Sequence, residues 1–140
     1  MSLDPRWTFR AAEIDQVMAR LSSPAWAARS NAHIIGKTRV GCALLTSTDR
    51  LFTGCNVEHR FRSHDVHAEV NAISSMIAGG DKVIAFLLVV AERERFTPCG
   101  ACMDWIMEFA AQPCFVGFQG APDGPFTVYT TDQLMPFYPH

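Results

Sequence analysis

Long apolar runs are missing from this 140-residue chain, and so is any marked imbalance of charge. No stretch approaches the about 18 consecutive apolar residues of a membrane-spanning helix, so no membrane association is expected. Twelve Lys and Arg stand against fourteen Asp and Glu, a formal net charge of -2. A protein that lives on polymeric nucleic acid carries a basic face instead, and no such partner is expected. The first residues, Met1-Ser2-Leu3-Asp4-Pro5, have neither the basic flank nor the apolar centre of a secretory signal. Internal repeats, low-complexity tracts and linkers are also missing. Residues 1–140 are therefore read as a single domain, long enough for one proper core and too short for two of ordinary size. Cysteine is present in an odd number, five, two of them in a Cys-x-x-Cys pair. A reduced, cytoplasmic setting with metal binding is a simpler expectation than a disulfide framework.

What is present reads as alternating helices and strands. Phe9, Ala12, Ile14, Val17, Met18 and Leu21 roughly follow a helical stripe over 8–21, and Ser22-Ser23-Pro24 is expected to end it. Val40 to Thr46 and Leu51 to Val57 are strand-like and joined by the turn residues 47–50. Asp65 is a candidate N-cap for a helix whose stripe is Val66, Val70, Ile73 and Ile77, stopped by Gly79-Gly80. Val83 to Ala91 is a continuous apolar run, typical of a strand covered on both faces. Thr97 can cap the next helix, with Pro98 at its first position and Cys99, Cys102, Ile106 and Phe109 on one face. Residues 114–118 and 126–130 read as two more strands, and Thr131 as the cap of a short last helix. The pattern predicts an α/β fold, a three-layer α/β/α sandwich around one mixed sheet of about five strands.

The chemistry concentrates between His67 and Cys102. One imidazole and two thiols, His67, Cys99 and Cys102, are good zinc ligands, and a catalytic zinc keeps three protein ligands and an open fourth position. A Cys-x-x-Cys at a helix start turns both sulfurs to one side and sets them near the positive end of the helix dipole, which favours the thiolate. His67 is placed in the first turn of its own helix, so two helix starts side by side would converge on one metal. Two thiolates and one imidazole leave the zinc site formally neutral, and such a metal acidifies a bound water. Glu69, two residues past His67, need not be a ligand and is placed to carry protons between water and substrate. The set matches the H-x-E…P-C-x-x-C arrangement of zinc nucleobase deaminases. Two blander readings stand beside it. One is a closed zinc knot completed by Cys55, His64 or Cys114; the other is a redox dithiol, in which His67-Ala68-Glu69 would have no part.

With these residues in view, roughly residues 38 to 136 resemble the cytidine deaminase family. The matching runs are 40–45 (Val-Gly-Cys-Ala-Leu-Leu), 52–58 (Phe-Thr-Gly-Cys-Asn-Val-Glu), His67-Ala68-Glu69 and 98–102 (Pro-Cys-Gly-Ala-Cys). The resemblance implies hydrolytic deamination of a cytosine-type nucleoside to its uracil counterpart, with one zinc per subunit. It assigns the sugar hydroxyls to Asn56 and Glu58, proton transfer to Glu69, and the base edge to backbone groups at Ala68 and Thr97. It also implies a homotetramer or homodimer. His67 as first ligand, and the run from His67 to Ile73, look like the deoxycytidylate deaminase version of the motif. Thr38 stands where the family has a pocket-lining Phe, and His59-Arg60-Phe61-Arg62 follows the Asn-Val-Glu run where small residues are common. A modified cytosine nucleoside or a cytidine nucleotide is therefore the alternative substrate. A non-catalytic zinc-stabilised binding domain is the alternative of a different class.

Of the remaining candidates, Arg60 and Arg62 suit a phosphate or acidic substituent, against a plain solvated loop pair. His59 and His64 read as loop histidines, with a role in orienting a metal ligand open to His64. Cys42, Cys55 and Cys114 read as inert thiols in strands. Trp26 and Phe61 read as core or pocket wall, and Trp105, Met107 and Phe109 as core or subunit contact.

Overall fold

The structure is a computed structural model describing residues 10–139. Five strands form one mixed sheet in the order β2-β1-β3-β4-β5: β1 Gly41–Thr46, β2 Leu51–Cys55, β3 Ile84–Val90, β4 Ala110–Gln119 and β5 Phe126–Thr130. Only β3 and β4 run parallel; the other neighbours are antiparallel. Alternation along the central strands creates two cores, because successive side chains point to opposite faces. Cys42, Leu44, Leu87 and Val89 face one way, under α2 (Ala68–Ala78) and α3 (Gly100–Phe109). Ala43, Leu45, Phe86, Leu88 and Val90 face the other, under α1 (Ala11–Ser30). This is the expected three-layer sandwich, with a short α4 (Thr131–Leu134) capped by the Thr130 hydroxyl rather than Thr131.

Four further local expectations need correction. Helix α1 does not stop at Ser22-Ser23-Pro24 but runs through Pro24 to Ser30. Pro24 forfeits one helical hydrogen bond, at about 3 kcal/mol, yet Ile14, Met18, Leu21 and Ala25 form one buried stripe that continues past it. Packing on the sheet outweighs the breaker. Thr8 and Phe9, the expected start of this helix, lie outside the described residues.

Helix α2 is turned by about one position from its expected face. Its buried residues are Ala68, Glu69, Ala72, Ile73 and Met76, while Ile77 is exposed and Val66 lies before the helix, bridged to Val57. The cause is Gly54 on β2, against which Ala68, Asn71 and Ala72 pack backbone to backbone, so small residues face the sheet. Gly80, at φ +86, ends the element as expected.

Asp65 does not cap α2. Its carboxylate accepts from the His59 N–H at 2.7 Å and from Arg62 Nε at 2.8 Å, and the capping position belongs to His67. Likewise α3 starts two residues late, with Cys99 rather than Thr97 at its N-cap.

Candidate active site

The start of β1 lies beside the ends of β2 and β3, Gly41 pairing with both Cys55 and Val90. The chain entering β1 and leaving β2 and β3 therefore meets along one sheet edge, and the N-termini of α2 and α3 open on the same side. A cleft of about 250 Å³ forms there, bounded by 38–40, 56–69, 89–97 and the two helix starts. That volume is below the range of about 300–1,000 Å³ typical of drug-sized ligands and suits a small molecule.

His67 and Cys99 both occupy N-cap positions, in extended conformation, and neither side chain caps its helix. Their side chains turn instead toward Cys102, in the first turn of α3. His67 Nδ1 lies 3.2 Å from Cys102 Sγ and 3.5 Å from Cys99 Sγ, and the three donor atoms fall within 4.8 Å of one another. So His67 is not in the first turn of its helix, as the sequence suggested, but one step earlier. The convergence of two helix starts holds all the same.

Two thiols and an imidazole fit zinc and could hold it at this point. No fourth His, Cys or carboxylate joins this group among the described residues; Cys114 is buried in the sheet. The donor set has the open form of a catalytic site rather than the closed form of a zinc knot. Burial, and then the nearby Glu69 charge, raise the pKa of the Cys102 thiol, and a bound cation would act the other way, favouring the thiolate.

Glu69 projects from the first turn of α2 and is 5% exposed. Burial raises its carboxyl pKa, partly offset by hydrogen bonds from its own N–H and from Cys102 and by the charge of His67. A buried carboxyl at the foot of a cleft is placed to exchange protons with a molecule bound there.

The segment 56–58 is extended, bridged to His33 on one side and Val66 on the other. Asn56 and Glu58 thus share a side, toward the cleft, while Val57 faces out. Asn56 also braces the cleft wall. Its Oδ1 accepts from the Val40 N–H at 2.8 Å and its Nδ2 donates to the Thr38 carbonyl at 2.9 Å. Glu58 is more heavily engaged: Oε1 accepts from the Ile35 and Gly36 N–H groups at 2.7 and 2.8 Å, and Oε2 from Arg62 at 3.0 Å. The two backbone donors lead in lowering its pKa. Ala68 and Thr97 line the cleft too.

Arg62 bridges Glu58 and Asp65, so it is neither a free phosphate ligand nor a simple solvated side chain. Arg60 does not line the cleft. Phe61 is exposed, ring to ring with His59 and His64, and neither histidine joins the donor group. Trp26 sits on the α1 side, its Nε1 donating to Gln119 at 2.8 Å. Two lining residues lay outside the sequence-based candidates, Phe96 and Arg93; Arg93 follows β3 and reaches Thr38 Oγ1 at 3.4 Å. Its signal was positional, since the carboxyl ends of sheet strands are where α/β folds place their sites.

The family model described as the cytidine and deoxycytidylate deaminase zinc-binding region matches residues 15–118. This chain belongs to that family. Among curated relatives, a probable cytidine deaminase of Dictyostelium discoideum is 40% identical over 73 residues, 51% of this chain and 50% of that protein. The cytidine deaminase of Sporosarcina psychrophila is 37% identical over 84 residues, 59% and 62% of the two chains. The alignments thus span between half and two thirds of these curated relatives. The crystal structure of cytidine deaminase from Burkholderia pseudomallei superposes with a TM-score of 0.76 at 31% identity, covering 84% of this chain and 95% of that one.

Proposed function

We propose that this protein is a zinc-dependent hydrolytic deaminase that converts a cytosine-type nucleoside and water to the uracil-type product and ammonia. The observation that carries the reading is the three-donor group of His67, Cys99 and Cys102 beside the buried carboxyl of Glu69, at the foot of a nucleoside-sized cleft. When bound, zinc supplies Lewis-acid activation of water.

The chain's own residues do the rest. Glu69 accepts a proton from the attacking water and delivers it to N3 of the pyrimidine; it then takes the proton of the new C4 hydroxyl and passes it to the exocyclic amine, which leaves as ammonia as the C4 carbonyl forms. Backbone groups at Ala68 and Thr97 hold the base edge. Asn56 and Glu58 receive the sugar hydroxyls, at positions already fixed by their bonds to Val40, Thr38, Ile35 and Gly36. The family resemblance supports a homotetramer or homodimer serving pyrimidine salvage, the five cysteines a cytoplasmic setting, and the length one domain per subunit. A non-catalytic zinc-stabilised domain is disfavoured: it needs a fourth ligand in place of water and has no use for a buried carboxyl at Glu69.

The test is ammonia release and loss of cytosine absorbance on zinc-quantified protein, with cytidine, deoxycytidine and their monophosphates. Glu69→Gln is expected to keep stoichiometric zinc and lose turnover by at least about a hundredfold. No turnover of any cytosine nucleoside by the zinc-loaded wild type overturns the reading, as does a fully active Glu69→Gln.

A further inference from the structure

The charges that line the cleft are unevenly satisfied. On the β2 side, Glu58 and Asp65 share Arg62, with separations of 3.0 and 2.8 Å. On the β3 side stands Arg93, which has no carboxylate within ion-pair distance among the described residues; its one described side-chain partner is the Thr38 hydroxyl. The entry to β1, with Thr38 and Val40, lies between them, so the two ends are separated by two strand spacings, about 10 Å. Of the two acids that flank Arg93, Glu92 is turned toward Arg29 at 3.6 Å, and Glu94 does not line the cleft.

The position of Arg93 is set by its backbone. The Arg93 N–H donates to the Ala91 carbonyl at 2.9 Å, and the Arg93 carbonyl packs on Gly120 so closely that a Cβ there would stand 2.1 Å from it. A guanidinium and a hydroxyl thus stand together at one end of the cleft, on an anchored backbone. A guanidinium offers several N–H donors in a fixed planar fork suited to carboxylate and phosphate oxygens. Thr38 adds a hydroxyl donor in the place where an aromatic side chain would offer none.

We infer that Arg93 and Thr38 form an anion subsite, and that the preferred substrate carries a carboxylate or phosphate on its sugar. This rests on the cytosine-nucleoside reading above and refines it. Arg93 acts on specificity, binding the substituent rather than the reacting atoms. The anion partner expected from Arg60 and Arg62 is thereby moved to a residue outside that loop.

Product binding tests it without turnover. Titration calorimetry on the zinc-loaded protein would compare uridine with uridine 5′-monophosphate, uridine 3′-monophosphate and the 5′-carboxylic acid of uridine. At least one anionic ligand is expected to bind about tenfold or more tighter than uridine at low salt, with the gap narrowing as salt rises. A response to the carboxylate alone, or to a phosphate alone, identifies which anion the subsite takes.

Arg93→Gln is expected to collapse the ratio toward one and Arg93→Lys to keep part of it, since the charge remains without the fork. Arg60→Gln, outside the cleft, is expected to leave it intact. Equal binding of neutral and anionic ligands by the wild type overturns the inference, as does a preference that survives Arg93→Gln. Failure to bind any of the four ligands, together with no turnover of any cytosine nucleoside, would instead strike the proposed function.

Discussion

Gly54→Ala tests whether the sheet sets the position of α2, the helix that carries Glu69. A Cβ on Gly54 would lie 2.4 Å from Ala72 N, 2.6 Å from Ala68 O and 2.9 Å from the Asn71 carbonyl carbon, against 3.4–4 Å for ordinary contact. All three are backbone atoms in the first half of α2, and none can rotate away. The helix start must retreat by about 1 Å, straining the hydrogen bond from the Cys55 N–H to Asn71 Oδ1, now 3.0 Å. Overpacking of this kind costs about 1–3 kcal/mol, which for a domain of this size lowers Tm by about 3–12 °C.

The same retreat moves His67 and Glu69 relative to Cys99 and Cys102, which ride on α3. A displacement near 1 Å lowers turnover by about a hundredfold. The assay is thermal unfolding followed by cytidine deamination per bound zinc. Gly117→Ala is the control: its Cβ would meet Met18 Sδ at 2.9 Å, the end of a flexible side chain on the α1 face. A modest loss of stability with unchanged turnover per zinc is expected there. Gly54→Ala with parental Tm and turnover would refute the argument.

Other expectations follow from single contacts. Cys102→Ser should leave the purified protein with substoichiometric zinc by atomic absorption, and a chelator should lower the Tm of the wild type but not of this variant. Asn56→Ala strips partners from the Val40 N–H and the Thr38 carbonyl and should cost about 1–3 kcal/mol in urea unfolding, while Asn56→Asp, which keeps an acceptor for Val40, should cost less. Asp81, bonded first by Thr48 and then by Thr46 and backbone N–H groups, has its pKa lowered to about 2. A depressed folded-state pKa adds stability above the unfolded value, about pH 4, and loses it as pH falls toward 2. Asp81→Asn should therefore flatten the fall of urea midpoint between pH 4 and pH 2.

The strands and the donor group were legible because their signals are local. The run 83–91 could be little but a covered strand, and β1, β2 and β5 fell within two residues of their expected bounds. His67, Cys99 and Cys102 were recognisable because a metal restricts both residue type and spacing. What escaped depended on neighbours distant in sequence. Pro24 reads as a stop until the sheet buries Ala25 beyond it. The stripe through Val70 and Ile77 is apolar, yet Gly54 selects the narrower face with Ala68 and Ala72. Asp65 looks like a cap, but Arg62 and the His59 N–H take its oxygens. That Arg93 has no ion pair among the described residues shows only once Glu92 is seen turned to Arg29.

The placement of the donors at two helix starts has a consequence for how the protein acquires its metal. His67 and Cys102 are 35 positions apart, and the segment between them contains all of α2, all of β3 and the start of α3. In the unfolded chain these groups have no reason to meet. Only the docking of α2 and α3 on the sheet gathers them, so a captured ion fastens the ends of a loop threaded through the middle of the molecule. Metal affinity and folding are then two readings of one equilibrium: whatever loosens the sheet releases zinc, and whatever removes zinc leaves the two helix starts to be held by packing alone.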